Sequence, residues 1–584
     1  MAESIISPGV FSRENDISFV QPAAVEAGAA IIGPAVKGPV ETPTLVTSYN
    51  EYVRKFGTTF TSGSTKHEFL TSVAVKNYFS QGGGSVLVTR VVSGSFTTAT
   101  DTGIVATKIE SGSTVYDAFA LETLGKGEIF NNFAGGENSD GSLADGTEDN
   151  LRWEVSNINN QRGTFSLSIR RGDDTIKSKV VLETFNNISL DPNTDNYIEK
   201  MIGNQSQTLV TGADGTYLRT SGSYVNKSNY VRVSTVNTPT LSYLSTDGIT
   251  VNTDSDTISY SASLPIASSG SFSGATGTNF ASDRPGNYFG SIDNNDTQGL
   301  VADNYLNVIS LLGNSEEYVF NIISTPGLAY QNASHVTPID LIVSLAESRG
   351  DCIAVLDLTN YGQTVAEAAS QATTINSSYA ATYWPWVQMR SATGKDEWAP
   401  PSAVIPGVYA FTDNYSAPWF APAGLVKGGI PGIIQAERKL NRTQRDTLYS
   451  AKVNPIATFP GQGIAVYGQK TLQTKASALD RVNARRLLIE IKDFIGKEAR
   501  KLVFEQNTIA TRNKFLATVN PYLDSVVQRE GLYAYRVVMD DTNNTADVVD
   551  RNQLIGQIFI QPAKTAEFIL LDFTIEPTGA TFAG

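Results

Sequence analysis

The sequence predicts a multidomain protein of α+β or α/β class, in which an interrupted α/β core carries a β-rich insertion. The first observation is an alternation of short apolar strands and helices in residues 24–95, which returns in residues 301–465. The second is that Ser, Thr, Gly, Asn and Asp dominate residues 96–300 between short alternating runs. The third is a pattern of long helices followed by strands in residues 466–561, before a last segment, 562–584.

The first part of the core, 24–95, has clear element signals. "AAIIGPA" predicts a short strand that ends in a turn, and "SYNEYVRKFG" predicts a helix that Ser48 or Asn50 caps and Gly57 ends. A second helix is expected over about 66–80, after which "GGG" leads into the strand "SVLVTRVV".

The second part of the core, 301–465, predicts a strand, a helix and a strand in close succession. "EYVFNII" is the first strand, and "TPIDLIVSLAESRG" is a helix with Thr337 as its cap, Pro338 in its first turn and Gly350 at its end. "DCIAVLDL" has the pattern of a fully buried strand. This order indicates a βαβ unit and therefore a parallel sheet.

The insertion, 96–300, is expected to contain as many as two domains, divided near residue 215. Runs such as "RWEVSN", "TFSLSIRRGDD" and "YVRVSTV" predict its strands. In the C-terminal region, one helix is expected over about 476–504, and another from Asn520-Pro521 to Gly531. The strands "LYAYRVVM" and "LIGQIFIQP" follow.

Both ends of the chain are predicted to be extended arms, over residues 1–23 and 562–584. In the C-terminal arm four apolar side chains alternate onto one face: Ile569, Leu571, Phe573 and Ile575. A single terminal strand cannot satisfy its own backbone hydrogen bonds, so we expect this strand to pair with another element.

Composition excludes several classes of function. The chain has 584 residues with 44 basic and 58 acidic side chains, and its net charge of −14 argues against nucleic acid as a partner. The single Cys352 excludes a disulfide framework and a thiolate metal site, and the two histidines exclude a histidine-rich metal centre. No apolar run approaches the ~20 residues of a membrane span, and no secretory signal is seen. We therefore expect a soluble protein that is made in a cytoplasm.

No catalytic, cofactor-binding or metal residue is predicted. "SQGGGSVLVTR" lacks the Lys-Ser/Thr pair of a phosphate loop and precedes a strand, so it is interpreted as a tight turn. Asp357 follows a buried strand, where ligands bind in open α/β sheets, but a turn-capping role explains it adequately. "RRGDDT" is better explained by a hairpin than by an adhesion motif.

A basic stripe on the long C-terminal helix is the strongest charge feature. Segment 480–501 carries seven basic against four acidic residues, or +3, within a chain of −14. At about 100° per residue, Arg481, Arg485 and Lys492 fall on one stripe beside an apolar arc. Such a stripe is either a solvated helix flank or a docking face for an acidic partner.

Several stretches together resemble the contractile tail sheath proteins of myovirus-type bacteriophages. The stretches are "SPGVFSREN", "GPAVKGPVETPTLVTSYNEYVRKFG", "FNNISLDPNTDNYI", "GDCIAVLDLT", "WAPPSAVIPGVYAFTDN", "WFAPAG", "NPIATFPGQGIAVYGQKTL" and "VNARRLLIEIKDFIGKEARKLVFEQNT". The resemblance covers most of the chain outside about 205–300. It implies a structural polymer and no enzyme activity: hexameric rings stack around a tail tube, and contraction drives the tube through the host envelope.

The resemblance also implies partners and site residues. The partners are other copies of the chain, the tail tube protein, and baseplate and tail terminator proteins, in a virion tail assembled in the host cytoplasm, without cofactors, direct nucleic-acid contact or membrane insertion. The C-terminal strand and an N-terminal arm that includes Val10 and Phe11 are expected to join another subunit's strands at 532–539 and 554–561. The resemblance makes Arg481, Arg485 and Lys492 candidates for facing the tube, with the insertion on the outside.

Three alternatives remain open from the sequence. A sheath from a phage-derived bacteriocin or another contractile injection system would share the fold, and neighbouring capsid and terminase genes would indicate a virus instead. An α/β hydrolase with a β-rich insert predicts a monomer with a ligand-filled cleft near Asp357. A β-rich surface adhesin predicts glycan or receptor binding by residues 96–300 alone.

Overall fold

The computed structural model describes residues 26–62, 65–108, 115–131, 136–213, 215–237, 239–241, 243–244, 249–250, 263–277 and 292–569. The arm candidates Val10, Phe11, Leu571, Phe573 and Ile575 lie outside the described residues, and Ile569 is the last residue inside them.

The described elements of residues 26–90 are β1 (Glu26–Gly33), β2 (Thr44–Val46), α1 (Tyr49–Phe56), β3 (Thr59–Ser62), β4 (Thr65–Glu68), α2 (Leu70–Ser80) and β5 (Val86–Arg90). Those of residues 98–273 are β6 (Thr98–Asp101), β7 (Ile104–Lys108), β8 (Val115–Lys126), β9 (Leu151–Asn159), β10 (Thr164–Arg171), β11 (Val181–Ser189), α3 (Ile198–Ile202), β12 (Ser206–Gly212), β13 (Gly215–Ser221), β14 (Val231–Val236), β15 (Ser263–Pro265) and β16 (Ser268–Ser273).

The described elements of residues 305–466 are α4 (Tyr305–Leu311), β17 (Val319–Ala329), α5 (Ala333–Arg349), β18 (Ile353–Asp357), α6 (Val365–Ala372), β19 (Ala380–Trp384), β20 (Val387–Arg390), β21 (Asp396–Ala399), α7 (Ile405–Tyr415), α8 (Gly424–Lys427), β22 (Ile433–Ala436), α9 (Arg442–Ser450), β23 (Asn454–Phe459) and β24 (Gly463–Val466). Those of residues 482–562 are α10 (Val482–Arg500), α11 (Ile509–Gln528), β25 (Leu532–Val538), α12 (Ala546–Asp550) and β26 (Gln557–Pro562).

The core is one mixed sheet built from both sides of the insertion. Within the described residues its strand order is β2-β5-β1-β17-β18-β19-β23-β24. β1 pairs in parallel with both β5 and β17, which places strands that are distant in sequence side by side. β17, α5 and β18 form the expected parallel βαβ unit. The mixed α/β fold is therefore confirmed, while the residue boundaries of the domains stay a prediction.

Helices cover both faces of the core sheet, because its central strands are apolar on both sides. All five residues of β5 and all five of β18 are buried. One face packs against α1, α2 and α7, and the other against α4, α5, α6 and α9.

The described insertion forms one large sheet, with the order β11-β10-β9-β16-β6-β8-β7-β15 and with β14 beside β8, and a separate two-stranded sheet of β12 and β13. The expected division near residue 215 is not seen. Residue 215 begins β13, the second strand of the hairpin β12–β13, and the later strands β14 to β16 return to the same sheet. Leu209 and Leu218 of that hairpin pack against the core face that holds α4 and α5.

Several helix ends agree with the sequence predictions and others do not. Gly57 and Gly350 end α1 and α5 with φ values of 73° and 68°, as glycine permits. α2 begins at Leu70 rather than near 66, because the residues before it pair as β4 with β3.

Two helices contain a proline that was expected to begin them. α5 starts at Ala333, five residues before Pro338, and buried His335 secures this extra turn by accepting a hydrogen bond from the Ala329 N–H at 3.1 Å. α11 starts after the cap Thr508, well before Pro521. Its early turns are stabilised by burial of apolar side chains such as Phe515, which outweighs the local preference of proline for a helix start.

Asp357 is a structural carboxyl at the carboxyl end of β18. It is buried, and its two oxygens accept hydrogen bonds from the backbone N–H, at 3.0 Å, and the hydroxyl of Ser402. Ser402 lies in the 3-10 turn Pro401–Ala403, so Asp357 joins this turn to the sheet. Burial raises the pKa of Asp357 to about 7, although the bonds from Ser402 act in the opposite direction.

We expect the buried carboxyl of Asp357 to make the stability of the chain depend on pH. Its pKa is higher in the folded chain, so the folded chain keeps a proton that the unfolded chain releases between about pH 4 and 7. Stability therefore falls as pH rises through this window. Asp357→Asn, which is uncharged, should increase the free energy of unfolding by up to about 4 kcal/mol at pH 8, and by clearly less at pH 5. Urea unfolding at the two pH values, with exposed Asp446→Asn as the control, measures this. An equal effect of Asp357→Asn at both values would contradict it.

Candidate subunit-linking surface

The C-terminal helices and hairpin are held together by one apolar cluster. α10 contributes Leu487 and Ile491 at helical spacing, while α11 contributes four buried side chains, and Leu532 of β25 completes the contact. The α11 residues are Phe515, Val519, Leu523 and Val526. Trp419, from the segment after α7, packs into the same cluster and donates a hydrogen bond to the Arg529 carbonyl at 2.9 Å. The hairpin is therefore fixed to the core through α10 and α11.

The hairpin β25–β26 has one packed face and one open face. Tyr535 lies opposite Ile560, and Val537 opposite Ile558, and these four half-buried side chains pack against the apolar cluster. Phe559 points the other way and is 56% exposed. These strands confirm the two that the sequence predicts at 532–539 and 554–561.

The outer edges of the hairpin are open in the described part of the chain. β25 and β26 pair only with each other there. An irregularity in register between Leu532 and Ala534 leaves Tyr533 63% exposed beside the hairpin. A two-stranded sheet is marginally stable in water, and its unpaired N–H and C=O groups offer a template for additional strands.

The arm leaves this hairpin in a defined direction. The Ala563 N–H donates to the Gly531 carbonyl at 3.0 Å, and the Lys564 N–H donates to the Tyr533 hydroxyl at 3.3 Å. Further along, Phe568 and Ile569 are 84% and 79% exposed. Ile569, the described member of the predicted apolar stripe, therefore has its side chain available for contact with another molecule.

The basic stripe predicted on α10 does not face solvent as a whole. Arg485 is buried: its guanidinium lies 3.9 Å from the centre of the Tyr379 ring and donates to the Ser378 hydroxyl at 2.5 Å. Burial lowers the pKa of Arg485, against the effect of Tyr379. Arg481 precedes α10 and pairs with Asp480 and Glu567 at 3.0 and 2.6 Å. The expectation of an exposed stripe is therefore wrong for Arg485, because the apolar arc beside it packs into the chain.

Lys492 is the exposed member of the stripe. Its Nζ lies 3.3 Å from the Tyr379 hydroxyl, and its side chain is otherwise on the outside of α10. Arg486, which sequence reasoning did not select, is buried and forms a bidentate pair with Asp413 at 2.8 and 2.5 Å. This pair fixes α10 to α7. The position of Arg486 directly beside the predicted apolar arc was the feature of the sequence that could have indicated its burial.

Metal-binding side chains are not clustered among the described residues. There, no three His, Cys, Asp or Glu side chains are grouped so that they could hold a metal ion. Cys352 is buried, which raises the pKa of its thiol. The helices in the described ranges also include none that is long and apolar enough to cross a membrane.

Comparison with known proteins places most of the second half of the chain in one family. The phage tail sheath protein central domain matches residues 298–472, and the phage tail sheath C-terminal domain matches residues 474–576. The tail sheath protein of Vibrio phage KVP40 is 32% identical over 306 residues, which are 48% of this chain and 46% of that protein. The tail sheath protein of Enterobacteria phage T4 is 34% identical over 259 residues, 41% of this chain and 39% of that protein. The matched part thus spans less than half the length of either relative.

A solved structure shows a similar fold over a larger part of the chain. The crystal structure of a sheath tail protein from Listeria innocua aligns with a TM-score of 0.51 and 13% identity, covering 92% of this chain and 96% of that one. At this identity the likeness concerns the fold alone. The sequence matches confirm the resemblance to contractile tail sheath proteins of myovirus-type bacteriophages, and residues 298–576 match the two domains of the phage tail sheath family.

Proposed function

We propose that this protein is the structural subunit of a contractile tail sheath, which polymerises as stacked hexameric rings around a tail tube and contracts to drive that tube through a host envelope. The match of residues 298–576 to the two sheath domains supports this role. The observation that carries it is the hairpin β25–β26, which has open edges in the described chain and stands beside an exposed apolar arm root. The role is structural and requires no cofactor.

The arms are proposed to link subunits by adding strands to the hairpin of another copy. Backbone hydrogen bonds supply affinity, and the alternation of Ile569, Leu571, Phe573 and Ile575 sets the register. Burial of each such side chain contributes about 1.5–3 kcal/mol. Ordering the arm costs about 1–2 kcal/mol per residue of backbone entropy, so one arm binds weakly. Two arms on every subunit, the second including Val10 and Phe11, hold the polymer together through multivalency.

The other proposed partners follow from the same role. The tail tube protein contacts the C-terminal domain from inside, baseplate and tail terminator proteins close the two ends, and the β-rich insertion faces outward, where insertions are tolerated. The extended sheath is metastable, and contacts formed between subunits during contraction supply its energy. The particle is assembled in the host cytoplasm and acts as part of the virion tail. A sheath of a phage-derived bacteriocin or another contractile injection system shares this fold, and neighbouring capsid and terminase genes distinguish the virus.

Removal of the arm beyond Ile569 is expected to abolish assembly without unfolding the subunit. A chain that stops after Ile569 keeps every described contact of the C-terminal domain, so its thermal unfolding should match that of the full chain. Negative-stain electron microscopy should show tubes, formed with or without a tail tube template, for the full chain and only discrete particles for the shortened one. Tubes of equal length and number from both chains would contradict the linking role of the arm.

Charge reversal at the exposed position of α10 is expected to weaken sheath–tube association. Lys492→Glu should reduce co-assembly with the tail tube protein while leaving thermal unfolding unchanged, because Lys492 is exposed. Lys514→Glu on α11 makes the same charge change at another exposed position and serves as the control. Co-sedimentation with assembled tubes measures the effect, which should decrease as salt increases. Equal binding by the two variants would remove Lys492 from the tube-facing surface.

A further inference from the structure

One carboxylate at the root of the C-terminal arm receives hydrogen bonds from three side chains. The guanidinium of Arg481 donates to Glu567 through Nε at 2.6 Å and Nη2 at 3.0 Å, a bidentate contact. The hydroxyl of Tyr449 donates at 2.7 Å, and Nε2 of Gln469 donates at 3.1 Å. We name these four residues, Glu567, Arg481, Tyr449 and Gln469, the Glu567 clamp.

The clamp ties the arm to the core and not only to the hairpin from which it emerges. Tyr449 belongs to α9, Gln469 follows β24, and Arg481 directly precedes α10, so three separate segments hold one residue of the arm. Gln469 also donates to the Thr565 hydroxyl at 2.6 Å, which fixes a second arm residue.

Neighbouring groups hold the donors in place. Lys470 lies with its Nζ 4.1 Å from the centre of the Tyr449 ring and donates to the Tyr449 carbonyl at 2.8 Å. Nη1 of the Arg481 guanidinium pairs with the Asp480 carboxylate at 3.0 Å. The donors of the clamp are therefore positioned by contacts within the core, so less side-chain entropy is lost when Glu567 binds.

The clamp also buries Glu567 more than its neighbours in the described part of the arm. The side chain of Glu567 is only 17% exposed, whereas the two residues after it are the strongly exposed Phe568 and Ile569. Burial acts to raise the pKa of Glu567, but the hydrogen bonds from Arg481, Tyr449 and Gln469 outweigh it and lower the pKa below its usual value. Glu567 thus remains a charged acceptor at neutral pH.

We propose that the Glu567 clamp is the pivot of the C-terminal arm. The clamp holds the arm to its own subunit, so the residues after Glu567 extend toward the neighbouring subunit from one fixed position. The inference rests on the proposed linking role of the arm and adds the residue that positions it. A fixed starting point raises the effective concentration of the arm at the neighbour's hairpin. The clamp also transmits tension on the arm into the core. Without the clamp, that tension would act on the terminal strand β26.

The first experiment examines the clamp in the unassembled subunit. Glu567→Gln keeps the size of the side chain but removes the charge that Arg481 binds. Amide hydrogen exchange at Ala563 and Lys564, whose N–H groups are hydrogen-bonded at the arm root, should become roughly 10-fold faster or more, with thermal unfolding unchanged. Glu505→Gln, an exposed glutamate on the α10–α11 connection, should leave that exchange unaltered. Arg481→Gln should accelerate the same amides, and the double variant should be no faster than the single ones. Unchanged exchange in Glu567→Gln would overturn the proposal.

The second experiment examines assembled tubes. Tubes of Glu567→Gln should dissociate at a lower urea concentration than tubes of the native chain or of Glu505→Gln. Equal resistance, with faster exchange in the free subunit, would overturn the pivot role while leaving the linking role of the arm intact. The chain that stops after Ile569 distinguishes the linking role of the arm from the pivot role of the clamp. If it forms normal tubes, the linking role itself fails and the pivot role fails with it.

Discussion

Among the described residues, the backbone groups at the outer edges of the hairpin β25–β26 are unpaired, and the proposed linking of subunits follows from this constraint. Each strand has N–H and C=O groups that its single partner in the described chain cannot satisfy. Soluble proteins usually protect such edges with charges, prolines or a covering element. Here the exposed Phe559 and the exposed arm root lie close to them. An open edge beside an apolar strand pattern is suited to exchange of strands between copies, which is the property that a polymer of identical subunits needs.

The rest of the fold can be understood as a rigid platform for this edge. Buried strands from both sides of the insertion form the core sheet, and helices cover its two faces. The bidentate pair of Arg486 with Asp413 and the stacking of Arg485 on Tyr379 attach α10 firmly to that core. α10 and α11 then hold the hairpin through one apolar cluster. Force applied to the arm can therefore reach the core through packed elements and through the Glu567 clamp.

The sequence was most informative where local patterns determine structure. The cap of α1, the glycine ends of α1 and α5, the βαβ unit and the two strands of the hairpin all follow from short-range spacing. Prediction failed where tertiary contacts decide the outcome. Pro338 and Pro521 indicated helix starts, yet the contacts of His335 and the burial of Phe515 extend both helices toward the N-terminus. For the candidate site, helical spacing placed Arg485 beside an apolar arc but could not show that its partner Tyr379, distant in sequence, would bury it. The contacts of Glu567 likewise join residues from four segments, which no sequence spacing reveals.

A cryo-electron microscopy map of tubes assembled from the full chain would show directly whether the C-terminal arm links neighbouring subunits. We expect each hairpin β25–β26 to be extended at an edge by a strand that contains Ile569, Leu571, Phe573 and Ile575 and is continuous with the core of another subunit. A map in which both hairpin edges remain unpaired, or in which that strand returns to its own hairpin, would contradict it.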